Sequence, residues 1–389
     1  MTQPQMTPQL SPVQPRPSWP RWVAGLLVAV SLAAAATGGF IVGKRYAPAS
    51  LLDPVIIRAY LDRPADTAAP GNSFWVAGYY VDYDTSSLDV VKTRSAHMDQ
   101  VVIFGYGFDA KGNIQGKEQQ IVRGVVGKQK RVLLFGNLTN GAFDQKTAHA
   151  ILTDKAVQDR AIAGIIAKAT TLDVGGVQID FENLAHNDRD AYTAFLKRLK
   201  EELKPHGMSL SIAAAAKTRD SRDGWGGATD YAAIGQIVDQ FYIMAYDEHW
   251  RGGEPGPVAS LPWVEQVVRY ATGVMPSQKI VLGIPFYGYD WAADGSTTGN
   301  KAFGSARMKQ RMEEFGATVK WDPVKGENVA TYKSDAGDRV VWFPDERSIE
   351  AKLKLAYQYN LKGVAPWRFG FEEDAWWTAM GAFRASPSK

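Results

Sequence analysis

The chain has no cysteine. That excludes disulfides and thiolate metal sites. Histidine is scarce, five in 389 residues, and none stands in an H-E-x-x-H arrangement. His186 follows Glu182 by four positions and His249 follows Asp247 and Glu248; both read as solvated loop residues, so neither a metal nor a cofactor is expected. There is no G-x-S-x-G, so a serine-hydrolase elbow is absent. The stretch GYGFDAKG (105–112) has the glycines of a dinucleotide loop, but Lys111-Gly112-Asn113 continues it as a turn, not a helix opening. Neither sign of charge dominates: 44 basic against 41 acidic residues give +3, without a long basic run. Nothing there points to nucleic acid. The densest basic cluster, Lys128, Lys130 and Arg131, reads as the solvated end of a helical stretch.

What is present is an ordinary globular balance, 45% hydrophobic and 22% charged, with 12 Trp and 16 Tyr. Trp is the unusual count, and flat rings suit the apolar faces of sugars as well as they suit cores. Residues 1–22 are rich in Pro and Gln and are expected to be disordered. Residues 23–43 carry no charge over 21 positions. At about 1.5 Å per residue such a run spans a bilayer core of about 30 Å. Trp19 and Trp22 precede it and Lys44 and Arg45 follow it, as interface anchors would. A transmembrane anchor is the first reading. A cleaved signal peptide, with small residues at Ala33–Ala36, is the alternative. Either exports the rest, so the body is expected to be membrane-anchored and extracytoplasmic, or secreted. Residues 44–72, with Pro48, Pro54, Pro64 and Pro70, read as a linker.

From residue 73 onward one theme repeats. Short apolar runs recur at 74–81, 100–107, 131–136, 175–182, 208–214, 238–246, 279–286 and 361–367, several hydrophobic almost throughout, as parallel strands buried on both faces are. Helical patterns lie between them at 145–170, 188–204, 261–272 and 346–359. Eight strands alternating with helices predict an α/β fold, a closed (β/α)8 barrel, over a doubly wound open sheet. Between the last two strands, about 291–345, extra pieces (ATVKW, ENVATY, RVVWF) separated by turn signals predict a small α+β insertion.

The stretch GGVQIDFENL (175–184) places Val177, Ile179 and Phe181 on one face of a strand and Gln178, Asp180 and Glu182 on the other. In a barrel the first face meets the helices and the second points inward. Asp180 and Glu182 then end the strand where barrel active sites form, about 6.6 Å apart at Cα. Close carboxylates raise one another's proton affinity, so one can stay protonated near neutral pH as a general acid, which glycosidic cleavage requires. A capping role for Glu182 and a lysine partner for Asp180 is the plainer alternative. Tyr79, Tyr80 and Tyr83 at the end of the first strand read as candidate subsite linings, and core packing explains Tyr79 or Tyr80 equally well. Trp225, in a Gly-rich loop at 222–228, and Trp250 read as sugar platforms, since an exposed loop Trp has no core role.

G-V-Q-I-D-F-E resembles the D-x-x-D-x-D-x-E signature of family-18 glycoside hydrolases, the chitinase-like proteins. IMAYDEHW (243–250) is similar to the family's M-x-Y-D, LGIPFYGYDW (282–291) to its seventh-strand segment, and Trp367 to its eighth-strand tryptophan. With PGPVASLPWVE (255–265), these stretches look most like the bacterial spore cortex-lytic and cell-wall N-acetylglucosaminidase branch. The resemblance covers Phe74 to the C-terminus. It implies substrate-assisted retention, in which the substrate's 2-acetamido oxygen attacks the anomeric carbon. Glu182 would be acid then base, Asp180 would orient the acetamide, and Tyr246 would hydrogen-bond its carbonyl. Met244 and Asp247 would line that subsite and Trp367 would floor it. Gly175 and Gln178 depart from the pattern, whose first two positions are aspartates. An amide still hydrogen-bonds Asp180 but cannot share its proton, which lowers the expected turnover. The expected partner is a glycan, peptidoglycan or chitin-like, with the membrane engaged through residues 23–43 and the chain a monomer. A sugar-binding barrel without chemistry is the rival from another class.

Overall fold

A computed structural model describes residues 74–117, 126–139 and 141–385. The expected disordered leader, the anchor at 23–43 and the linker at 44–72 lie outside the described residues. Among the described residues no helix is long and apolar enough to cross a membrane.

The parallel strands are β1 (Trp75–Val76), β2 (Tyr79–Val81), β3 (Val101–Phe108), β4 (Arg131–Gly136), β5 (Gly176–Asp180), β6 (Ser209–Ala215), β7 (Gln240–Met244), β8 (Ile280–Pro285) and, after an insertion, β14 (Gly363–Trp367). The run expected as one first strand is broken at Ala77-Gly78, so β1 pairs with β14 while β2 pairs with β3. The remaining strands named here pair in parallel in chain order, with Ile114–Gly116 added antiparallel to the end of β3, and the ladder passes round a (β/α) barrel. Alternation along the strands sorts the side chains into two cores. Val177, Ile179, Phe181, Phe241 and Ile243 join the outer layer against the helices. Tyr79, Val102, Val132, Leu134, Tyr242, Val281 and Ala365 fill the inside.

The helices are α1 (Thr85–Arg94), α2 (Gln145–Thr153), α3 (Lys155–Thr171), α4 (Arg189–Leu203), α5 (Tyr231–Ile237), α6 (Leu261–Val274), α7 (Ser305–Glu314), α8 (Glu346–Gln358) and α9 (Asp374–Ala385). Five are opened by an aspartate whose carboxylate accepts first-turn N–H groups: Asp84, Asp144, Asp154, Asp230 and Asp345. Asp154 also explains why the pattern at 145–170 is two helices. It ends α2, and its side chain accepts from Ala156 and Val157 to start α3. The basic cluster at 128–131 is corrected too. Lys128–Lys130 is a single 3-10 turn, and Arg131 opens β4 buried, its Nη1 donating to the Val126 carbonyl at 2.8 Å.

The insertion is an antiparallel sheet of β9 (Tyr287–Ala292), β10 (Lys301–Gly304), β11 (Thr318–Asp322), β12 (Glu327–Ser334) and β13 (Gly337–Phe343), in the order β10-β9-β13-β12-β11, with α7 against it. It starts at Tyr287, earlier than expected, because the stretch after Pro285 turns out of the barrel and pairs with β13. Inside it Asp290 accepts from Arg339 at 2.7 Å, from Arg311 at 3.0 Å and from the Tyr332 hydroxyl.

Candidate active site

β5 ends at Asp180, and Glu182 lies two residues further, in the loop above the strand. Asn137, just past β4, fixes that loop. Its Oδ1 accepts the Glu182 N–H at 2.9 Å and its Nδ2 donates to the Glu182 carbonyl at 2.8 Å. Both backbone directions of Glu182 are therefore satisfied by one buried amide. Asn137 was not singled out in the sequence. The signal for it is the one used for Asp180, a polar residue closing an apolar run.

Below, Gln178 is fully buried and donates its amide to Ser211 Oγ at 3.3 Å, while Ser211 Oγ reaches the Val177 carbonyl. Gln178 Oε1 and Asp180 Oδ1 have no hydrogen-bond partner among the described residues. Burial, and then the neighbouring Glu182 charge, hold the Asp180 carboxyl well above the usual carboxylate range. Burial also pushes Glu182 up to about 7; the Trp225 indole opposes the rise and Asp247 adds to it. Neither acid has a cation partner among the described residues. At neutral pH the pair thus retains a proton it can give.

Tyr246 stands two residues beyond β7. Its ring lies against Gly283 of β8, where an added Cβ would come within 3.1 Å of the ring and 2.5 Å of the Ile243 carbonyl. Burial first, then Tyr79, Glu182 and Asp180, push its phenol well up, so it stays a neutral donor. Asp247 follows in the left-handed region, φ 60°, which turns its carboxylate back toward the insertion. There the Tyr289 hydroxyl donates to it at 2.8 Å and the Tyr287 hydroxyl also donates. Although the residue sits at an exposed lip, loss of water around its carboxylate raises its proton affinity, and the two phenols counter that. Tyr287 and Tyr289 were quoted but not given a role. Their spacing puts both on one face of β9.

Met244 is half-buried at the end of β7, opposite Ala215. Trp367 ends β14 with its ring edge-on to Tyr79 at 5.1 Å and to Phe104 at 5.5 Å. It joins the inner barrel core to the Tyr287, Tyr289 and Trp291 cluster. Trp225 reaches the acid directly: its Nε1 donates to Glu182 Oε2 at 2.7 Å. Trp250 is not drawn to the acid pair. It is 56% exposed on the loop after β7, its ring over Gly252. Tyr79 faces the barrel interior, and Tyr83 stays exposed with Arg368 over its ring at 5.3 Å. Among the described residues no three His, Asp or Glu side chains converge as metal ligands. The residues 109–113 form a turn in which Asp109 Oδ1 accepts from Lys111 and Asn113, each at 2.9 Å.

The family description "Glycosyl hydrolases family 18" matches residues 76–372, from the end of β1 past β14 and including the insertion. The chain belongs to glycosyl hydrolase family 18. It is a glycosidase related to spore cortex-lytic enzymes and chitinases. The cortical fragment-lytic enzyme of Bacillus subtilis is 30% identical over 296 residues, 74% of this chain and 68% of that protein. The crystal structure of the Bacillus cereus spore cortex-lytic enzyme SleL is 26% identical, with a TM-score of 0.75 over 83% of this chain and 76% of that one. A chitinase from Chromobacterium violaceum is also 26% identical, with a TM-score of 0.75 over 81% of this chain and all of that one.

Proposed function

We propose that this glycosidase cleaves β-glycosidic bonds in N-acetylglucosamine-containing polymers, with peptidoglycan as the substrate, by substrate assistance. The observation that carries the proposal is the acid pair itself. Two carboxyls at the C-terminal end of one barrel strand lack cations among the described residues, hold a proton near neutrality and stand beside a neutral phenol. Glu182 gives its proton to the glycosidic oxygen as the C1–O bond breaks, while the acetamide oxygen of the sugar attacks C1. Asp180 accepts the acetamide N–H and balances the oxazolinium charge, and Tyr246 donates to the acetamide oxygen. Glu182, now a carboxylate, takes a proton from water, which opens the oxazolinium with net retention.

Gln178 supports Asp180 from below, Met244 and Asp247 line the acetamide side, and Trp367 floors the sugar. Trp250 is the candidate flanking platform, and Trp225 borders the site through its N–H on Glu182. Cortex-lytic relatives favour peptidoglycan. The chitinase likeness, over the full length of that chain, keeps a chitin-like polymer as the second reading. Residues 23–43 would anchor the enzyme outside the cytoplasmic membrane, with 1–22 before the span, 44–72 as tether and 73–389 as the catalytic barrel. The test is digestion of purified peptidoglycan and of chitin oligomers by the full chain, with fragments weighed by mass spectrometry. N-acetylglucosamine-ended peptidoglycan fragments are expected, and they should vanish with Glu182→Gln. Intact peptidoglycan beside digested chitin would exchange the two readings.

A further inference from the structure

The loop joining β6 to α5 carries Trp225 at its tip and is clamped at its base. Arg189, buried at the start of α4, bonds Asp220 at 2.8 Å and Asp230 at 2.9 Å, and donates to the Gly227 carbonyl at 3.3 Å. Buried Lys217 donates to the Thr229 carbonyl at 2.8 Å. The loop also folds tightly on itself: a Cβ on Gly227 would stand 2.7 Å from the Arg222 carbonyl oxygen. From this fixed base the indole projects outward, 53% exposed, with Phe143 edge-on at 6.4 Å. Its N–H ends on Glu182 Oε2 at 2.7 Å. An indole nitrogen can only donate. The unprotonated, carbonyl-type oxygen of a carboxyl is its better acceptor, so the bond favours a proton held by Glu182 on Oε1 over Oε2.

We infer that Trp225 is a positioning residue that biases the acidic proton of Glu182 to Oε1 and so aims it at the glycosidic oxygen, with Arg189 holding the indole in place through the loop. The inference rests on the reading of Glu182 as the general acid and deepens it. It differs from a sugar platform in a definite way, because a platform needs the ring and this role needs the N–H. The same bond stabilises the charged carboxylate, opposing the rise that burial imposes on Glu182.

The test uses the full chain and two independent readouts. In indole 1H–15N spectra the resonance missing from Trp225→Phe is that of Trp225. It should titrate with a midpoint near that of Glu182, about 7, and should stop titrating in Glu182→Gln. In kinetics, Trp225→Phe keeps a ring and loses the donor. The alkaline limb of kcat/KM should move up by about 0.4–1 pH unit, the equivalent of one lost hydrogen bond. kcat should fall with KM changed less than about twofold, since the lost N–H contacts the acid and not the sugar. Arg189→Met should give the same direction of shift, with Arg189→Lys recovering part of it. If Arg189→Met does not fold, Trp225→Phe at the exposed tip still decides. A raised KM with an unmoved limb would make Trp225 a platform and overturn the inference, as would an indole that does not titrate. Hydrolysis surviving in Glu182→Gln, beside a titrating indole, would remove the acid reading while the indole contact stood.

Discussion

Asp180 and Asp290 are both buried aspartates, 4% and 0% exposed, in opposite surroundings. Asp290, in the insertion, is met by two guanidinium groups and a phenol, and each of its oxygens is used. Asp180, in the barrel, makes no ion pair among the described residues, keeps one oxygen without a partner and faces a second carboxyl. The first arrangement fixes a sheet. In the proposed function the second would keep a proton within reach of a reacting bond, at the expense of stability. Burial alone does not separate a structural acid from a chemical one; the compensation around it does.

The largest expected effect tests the structural half of that contrast. Asp290→Leu leaves buried Arg339 and half-buried Arg311 without their carboxylate partner and should destabilise the protein by about 3–5 kcal/mol, the usual consequence of breaking a buried pair. Urea midpoints measure it, and a loss under about 1 kcal/mol would mean the cluster is solvated.

Next in size is the chemical half. Glu182→Gln keeps the shape and the Asn137 contacts of the backbone but cannot protonate a leaving group. Hydrolysis should fall at least ~10²-fold while glycan binding persists. Near-parental turnover in that variant would end the account of the site.

A third expectation concerns pH. Glu182 is raised from an unfolded value of about 4.3 to about 7 in the fold, so the folded state binds more protons across that window. Stability should therefore be fullest below the unfolded value and decline as pH rises toward about 7. Asp180, raised as well, acts in the same direction. Chemical denaturation at several pH values should show this slope flattened by Glu182→Gln and by Asp180→Asn. Unchanged slopes in both variants would place the pair in water. The smallest effect is that of Tyr246→Phe, which should weaken a thiazoline analogue of N-acetylglucosamine by about 0.5–1.5 kcal/mol, one hydrogen bond, by calorimetry.

The contrast also shows what the sequence can disclose. Period-two alternation in GGVQIDFENL was enough to place Val177, Ile179 and Phe181 outward and the acids inward, because a strand's register leaves no other choice. The eight apolar runs were enough for the barrel. What stayed hidden depends on contacts between distant segments. Asn137 gripping Glu182 is a pairing across 45 positions, and Arg189 with Asp220 and Asp230 is set by how the start of α4 meets the loop before α5. Trp225 was recognised as a loop tryptophan with no core role, but its bond to the acid is a matter of loop geometry. The break at Asp154 was legible as a cap, and the helical periodicity on both sides masked it.

The most direct measurement compares initial rates on matched N-acetylated and fully de-N-acetylated glycan, with intact-protein mass recorded during turnover of a fluorosugar substrate. Substrate assistance from Asp180, Glu182 and Tyr246 predicts cleavage of the acetylated polymer alone, thiazoline inhibition and no sugar bound to the protein. Cleavage of the de-N-acetylated polymer at an undiminished rate, or a sugar adduct on Asp180, would contradict it.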